Sequence, residues 1–256
     1  MENSKHDVGE VEMKEGNNLK NSNGKEQHEL VLMRTYVESQ DPTTKEVDDK
    51  TLRRFLRARD LNVEKASAMF LKYLNWRRVF IPNGSISESE ISNELAQKKV
   101  FLQGHDKEGR PIEVVFGAKH FPNKTKGGLE EFKRFVVYAL EKICSRMPGD
   151  QEKFTAIGDG QGWGYSNFDL RAYLGALSIL QDCYPERLGK LYLVHVPVIF
   201  MTAWKIISPF IDSNTRNKIV FVEDKKLTST LLEAIDESQL PEIYGGKLQL
   251  VPIQES

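Results

Sequence analysis

From about residue 99 onward, short β-branched and aromatic runs alternate with longer stretches of helical periodicity, and this alternation restricts the fold more than any other feature. Val100-Phe101-Leu102 and Ile112-Glu113-Val114-Val115-Phe116 read as strands. Between them lies Asp106-Lys107-Glu108-Gly109-Arg110-Pro111, a connection rich in turn formers. A helix follows, with Leu129, Phe132, Phe135, Val136, Ala139, Leu140 and Ile143 on one face. The pattern then predicts a strand over 153–158, a helix over 169–183, a strand over 190–196 and a helix over 198–211. A strand over 218–222 and a helix over 227–236 complete it. Strands joined through helices pair in parallel, so residues 99–250 predict a mostly parallel sheet flanked by helices.

The region before this, residues 29–98, reads as a helical domain. Leu52, Phe55 and Leu56 fall at i, i+3 and i+4. Ala66, Met69, Phe70, Tyr73 and Leu74 repeat that spacing, with Asn62 placed to cap the helix. Residues 1–28 are polar and hold no Phe, Tyr or Trp. They cannot offset their ordering entropy by burial and read as a disordered tail.

Composition removes several classes of function. The 36 Lys and Arg nearly balance the 37 Asp and Glu, which argues against bulk nucleic-acid binding. Cys144 and Cys183 form no CxxC, as expected of a reduced intracellular protein. No apolar run reaches the length of about 20 residues that spans a bilayer. The first residues lack a signal peptide's apolar core, Glu2 excludes the usual myristoylation site, and the last residues carry no prenylation cysteine. Membrane contact is therefore expected to be peripheral and reversible, from a cytoplasmic location. There is no GxSxG, no HExxH and no paired-cysteine metal spacing, so no enzyme, metal or cofactor is expected. The glycines of Gly158-Asp159-Gly160-Gln161-Gly162-Trp163-Gly164 fit neither GxGxxG nor a P-loop and read as a flexible turn. His195 reads as a hydrogen-bonded core histidine.

Four polar positions and one helix carry the functional expectation. In Leu52-Arg53-Arg54-Phe55-Leu56-Arg57-Ala58-Arg59, continuing the apolar face one turn brings Arg59 inward, where its charge requires a buried anion. The other reading places it in the last turn, offsetting the helix dipole. Glu186 follows Pro185 in a loop and Lys218 precedes a strand; by position alone both read as solvated charges. The run 198–211 is either a buried helix or a lid over an apolar cavity.

The order of motifs discriminates further. Tyr184-Pro185-Glu186-Arg187-Leu188-Gly189-Lys190 is followed by a strand ending at Pro197, then by Val198 to Ile211 with Lys205 as its one charge. Asp212 to Lys218, Ile219-Val220-Phe221-Val222 and Leu240-Pro241-Glu242-Ile243-Tyr244-Gly245-Gly246 come next. Over about residues 48–250 this resembles the CRAL-TRIO family, the lipid-binding fold of the yeast-type phosphatidylinositol-transfer proteins. The resemblance implies an apolar lipid cavity, with a phosphatidylinositol-class lipid and a membrane surface as partners. Arg59 and Lys218 would hold the phosphate, and Glu186 and Thr215 the inositol. A gate helix would carry Phe200, Met201, Trp204, Lys205, Ile207, Phe210 and Ile211, hinged at Pro197 and at Ser208-Pro209. Trp204 and Lys205 suit a membrane interface. Two departures stand out: Asp60 replaces the prototype's Lys, and Phe154 and Ala156 occupy positions where the prototype binds phosphatidylcholine with Ser and Thr. A carrier of another apolar ligand, of tocopherol, retinoid, sterol or haem type, and a non-exchanging membrane adaptor are the alternatives.

Overall fold

The computed structural model describes residues 6–256, with side chains described from residue 23 onward. The chain divides into two compact units at Phe80/Ile81. In the first, α1 (His6–Gln40), α2 (Asp49–Arg57) and α3 (Val63–Phe80) surround one core. Leu30, Met33 and Val37 of α1 meet Leu52, Phe55 and Leu56 of α2 and Ala66, Met69 and Phe70 of α3. The i, i+3, i+4 spacing produces this packing, and Phe55 meets Phe70 edge-on at 5.2 Å. Asp48 caps α2 by accepting from Thr51 N at 2.7 Å, and Asn62 accepts from Lys65 N at 2.9 Å as expected. Part of the expected disordered tail, residues 1–5 and the side chains of 6–22, lies outside what is described. Residues 23–28 are helical, because Glu26 ties α1 to α2 through Arg53 at 3.0 Å and Arg57 at 2.7 Å.

The division between units falls at residue 80 rather than at 98. The intervening segment, which includes α4 (Ser92–Ala96), is bonded to α5 (Gly128–Ser145) of the second unit. Glu90 pairs with Arg134 at 3.0 Å, and Glu131 accepts from the Asn93 amide at 2.8 Å.

The second unit is built on a five-stranded sheet in the order β1 (Val100–His105), β2 (Pro111–Phe116), β3 (Phe154–Asp159), β4 (Leu188–Val194) and β5 (Ile219–Phe221). β1 and β2 are antiparallel and the remaining pairs are parallel. The helices α5, α6 (Leu170–Cys183), α7 (Phe200–Ile207) and α8 (Ser213–Arg216) occupy the connections, and α9 (Leu227–Ala234) follows β5. Asp106 locks the β1–β2 turn: it accepts from the amides of Glu108 and Arg110 at 2.9 Å, and from Arg110 Nε and Thr155 Oγ1 at 2.6 Å.

Strand alternation sends successive side chains to opposite faces. One face is a closed core in which Ile112, Val114, Ile157, Tyr192 and Val194 pack with Leu231, Ile235, Leu240 and Tyr244. Beneath it, Asp159 accepts from Tyr244 Oη at 2.9 Å and faces His195 Nδ1 at 3.2 Å. His195 is thus the hydrogen-bonded histidine expected, although it lies just beyond β4 with φ 48° rather than within it.

Candidate functional site

The opposite face of the sheet is different. Register aligns Leu102, Glu113, Ala156, Leu191 and Ile219 in one row across it. Val100, Val115, Gly158, Leu193 and Phe221 form the adjacent row. Glu113, Val115, Gly158, Leu191, Leu193 and Ile219 are only partly buried, although β2 to β4 are interior strands. α7 nevertheless lies over this face, because Trp204 meets Phe221 edge-on with ring centroids 5.2 Å apart. A sheet face that is roofed by a helix and still admits solvent has space between the two layers. A Cβ at Gly158 would lie 2.9 Å from Leu193 Cδ2, so β3 keeps no side chain there. α6 is joined to this roof: Gln181 donates to the Phe210 carbonyl at 3.2 Å and accepts from Asp212 N at 2.9 Å.

At the N-terminal ends of β4 and β5, two of the expected headgroup residues come together. Glu186 Oε2 lies 3.4 Å from Lys218 Nζ, with each side chain about one-fifth exposed. Glu186 has φ 58°, a left-handed conformation uncommon for a non-glycine residue. Its loop is held on both sides: Tyr184 Oη donates to Glu141 at 2.5 Å, and Arg187 Nη1 donates to the Glu152 carbonyl at 3.0 Å. Lys218 is placed by the backbone, its carbonyl accepting from Leu191 N at 2.9 Å and its amide donating to the Thr215 carbonyl at 3.0 Å. Thr215 sits in α8, where its amide bonds the N-cap Asp212 at 2.8 Å. A charge-assisted N–H···O bond is shortest and strongest near 2.7–2.9 Å. At 3.4 Å the Glu186–Lys218 pair is loose, and both groups retain capacity for a third, charged or hydroxylated, partner.

Arg59 belongs to the helical unit, and the inward helical position read for it is not found. α2 ends at Arg57, and Arg59 lies in the turn beyond, followed by Asp60 and Leu61 at φ 51° and 60°. Its Nη1 donates to the Ala58 carbonyl at 2.8 Å. The arginine that α2 buries is Arg54, 8% exposed, which donates to Thr51 Oγ1 at 2.7 Å. Periodicity extended the apolar face past the helix end, where the left-handed residues redirect the chain.

The expected gate is shorter than 198–211. α7 spans Phe200–Ile207, and Ser208–Phe210 forms a 3-10 turn, since Pro209 has no N–H to continue the helix. Phe200 packs on Trp163 at 5.4 Å, and Trp204 on Phe221. Trp204, read as an interface residue, therefore faces the sheet, and Ile211 is buried at 7% exposure. Ile207 is partly buried, whereas Met201, Lys205 and Phe210 are exposed as expected. Val198 and Ile206, not singled out in the sequence, join them outside, together with Tyr165. The glycine-rich loop anchors this roof through buried Trp163, whose Nε1 donates to Tyr173 Oη at 3.2 Å, and is not a free turn.

This combination defines a class: an α/β protein whose sheet carries one closed face and one roofed, solvent-accessible apolar face with a charged pair at its rim. A model of the CRAL/TRIO domain matches residues 95–246, and one of the CRAL/TRIO N-terminal domain matches residues 23–72. The chain belongs to the CRAL/TRIO family. It is 33% identical over 224 residues to the Sec14 cytosolic factor of Schizosaccharomyces pombe, covering 80% of this chain and 77% of that one. It is 33% identical over 221 residues to the phosphatidylinositol/phosphatidylcholine transfer protein SFH13 of Arabidopsis thaliana. That match covers 77% of this chain and 34% of the longer plant protein. The crystal structure of Sfh5 shares the fold with a TM-score of 0.61 at 21% identity, over 81% of this chain and 84% of that one. Among the described residues no helix is long and apolar enough to cross a membrane.

Proposed function

We propose that this protein binds one phosphatidylinositol-class lipid against the open sheet face and exchanges or presents it at a cytoplasmic membrane surface, without catalysing a reaction. The observation that carries this reading is the loose Glu186–Lys218 pair at the rim of a roofed, apolar, solvent-accessible sheet face. Lys218 takes the phosphate, and Glu186 and Thr215 accept from or donate to inositol hydroxyls. Relatives named for the same lipid class support the reading.

The physical need for a roof follows from magnitude. Burying acyl chain is worth about 0.8 kcal/mol per methylene, so some 30 methylenes represent on the order of 20 kcal/mol against water. An apolar face that takes the chains before they meet water removes most of that barrier. The exposed Val198, Met201, Ile206 and Phe210 are the groups of α7 and its flanks that enter the bilayer first.

Lys218→Ala is expected to reduce phosphatidylinositol transfer between vesicles at least tenfold while leaving the far-UV circular dichroism unchanged. Wild-type transfer by that variant overturns the headgroup assignment. Trp204→Ala tests the roof. Removing the ring that latches α7 to Phe221 destabilises the closed form by about 1.4 kcal/mol, within the range of an aromatic pair plus partial burial. Lipid release should accelerate about tenfold. Stopped-flow dequenching of a fluorescent phosphatidylinositol reads this rate, and an unchanged rate shows that α7 is fixed core.

A further inference from the structure

Ser208 is the one serine or threonine of this chain that a proline follows. It closes α7: its amide donates to the Trp204 carbonyl, and its φ of −56° and ψ of −30° lead the helix into the 3-10 turn Ser208–Phe210. Among the described residues its Oγ has no hydrogen-bond partner. Ser208 is partly exposed, and Pro209 and Phe210 beside it are exposed. The residue before a proline favours extended backbone, so this step extends once the end of α7 lets go.

Arg216 of α8 reaches back to the same junction. Its Nη2 donates to the Ser208 carbonyl at 2.9 Å and to the Ile211 carbonyl at 3.0 Å. Arg216 is exposed, and among the described residues no carboxylate pairs with it. Lys205 lies three residues before Ser208 on the same side of α7, exposed and likewise without an ion pair among the described residues. The nearest acid in the sequence, Asp212, is engaged with its own helix, accepting from Thr215 N at 2.8 Å. A guanidinium that bonds carbonyls alone keeps its charge-assisted capacity for an anion. It also covers the carbonyl end of α7, which would otherwise repel one.

We propose that Ser208 is a phosphorylation site for a proline-directed serine/threonine kinase, and that the phosphate forms a clasp with Arg216 and Lys205 that ties the end of α7 to α8. In the transfer, Ser208 Oγ bonds the γ-phosphorus of ATP, the bridging P–O bond to the β-phosphate breaks, ADP leaves and the hydroxyl proton passes to the kinase's catalytic carboxylate. Up to two negative charges and three acceptor oxygens then stand beside the guanidinium. The clasp depends on these three residues alone. Its consequence, slower lipid exchange, rests on the function proposed above.

The test uses the full chain in two forms: treated with ATP, magnesium and a recombinant mitogen-activated protein kinase in the presence of phosphatidylinositol vesicles, and produced with phosphoserine placed at 208 during translation. The kinase is expected to add one phosphate that Ser208→Ala does not receive. No incorporation, or equal incorporation into Ser208→Ala, overturns the site. Phosphorus NMR of the phosphoserine protein should show the second ionisation of the phosphate below its ordinary value of about 6, returning towards it in Arg216→Gln. An ordinary value in the wild-type background overturns the clasp. Release of a fluorescent phosphatidylinositol should slow about fivefold on phosphorylation, and Arg216→Gln should abolish the difference between its own phosphorylated and unphosphorylated forms. An unchanged rate overturns the effect on exchange. Slowing that persists in Arg216→Gln assigns it to repulsion from the membrane and overturns the clasp. If no form takes up phosphatidylinositol, the proposed function fails while the phosphorus titration still decides the clasp.

Discussion

Glu94→Ala is expected to destabilise the sheet unit by about 3–5 kcal/mol, the cost of stranding one member of a buried ion pair. Glu94 and Lys99 are 1% and 3% exposed and in direct contact. Lys99 Nζ also bonds Gln97 Oε1 at 2.9 Å and His120 Nδ1 at 3.0 Å, and lies over the rings of Phe132 and Phe135. Burial dominates both partners, pushing the Glu94 carboxyl up and the Lys99 ammonium down. It also holds His120 down at about 4, and a neutral imidazole can accept from Lys99. The pair is therefore a costly element that holds β1 to α4 and α5, and removing only the carboxylate leaves the cost without the compensation. Urea unfolding of the full chain reads the loss. The double variant Glu94→Met/Lys99→Met should recover most of it, because two apolar side chains need no partner. A loss below about 1 kcal/mol in the single variant would show that Lys99 sheds its proton or reaches water.

The second large effect has the opposite sign. Glu113→Gln is expected to stabilise the protein at pH 8, by up to about 3 kcal/mol, or roughly 10 °C in Tm. The folded carboxyl titrates near 7, above its ordinary value of 4.5, because burial disfavours the charged form. Between those values the folded state holds a proton that the unfolded state has released. Stability therefore falls as pH rises from about 4.5 to 7 and stays low above that. Glutamine never ionises, so the gain should be full at pH 8 and vanish below about pH 4.5. Thermal unfolding of both proteins at pH 4 and pH 8 measures it. An equal effect at the two pH values would assign it to packing and not to charge.

Much of the architecture is legible locally. The β-branched and aromatic run Ile112 to Phe116 and the period near 3.6 in Leu129 to Ile143 mark β2 and α5 within one or two residues. The same holds for the cap at Asn62, whose oxygen bonds the amide three residues on. Glu186 and Lys218, separated by 32 residues, are brought to one corner as the motif order implies. Phe154 and Ala156 are buried on β3, leaving no side-chain hydroxyl at those two positions. Glu113 is the one charge in the run Ile112 to Phe116, but only the sheet register shows that it lies on the partly exposed face.

What local pattern decides, this sequence states by itself: which segments are helix or strand, that the strands run mostly parallel, and which loops carry charge to the strand ends. Those outcomes depend on neighbours a few residues apart. Tertiary structure alone decided that Arg54 rather than Arg59 is buried, since the helix stops where Asp60 and Leu61 turn left-handed. It decided that Trp204 faces Phe221 and that Glu94 finds Lys99. It also made one sheet face closed and the other open. Each of these depends on which surfaces meet across the fold, and the free energy of burial or pairing belongs to both partners at once, so neither partner's local sequence contains it.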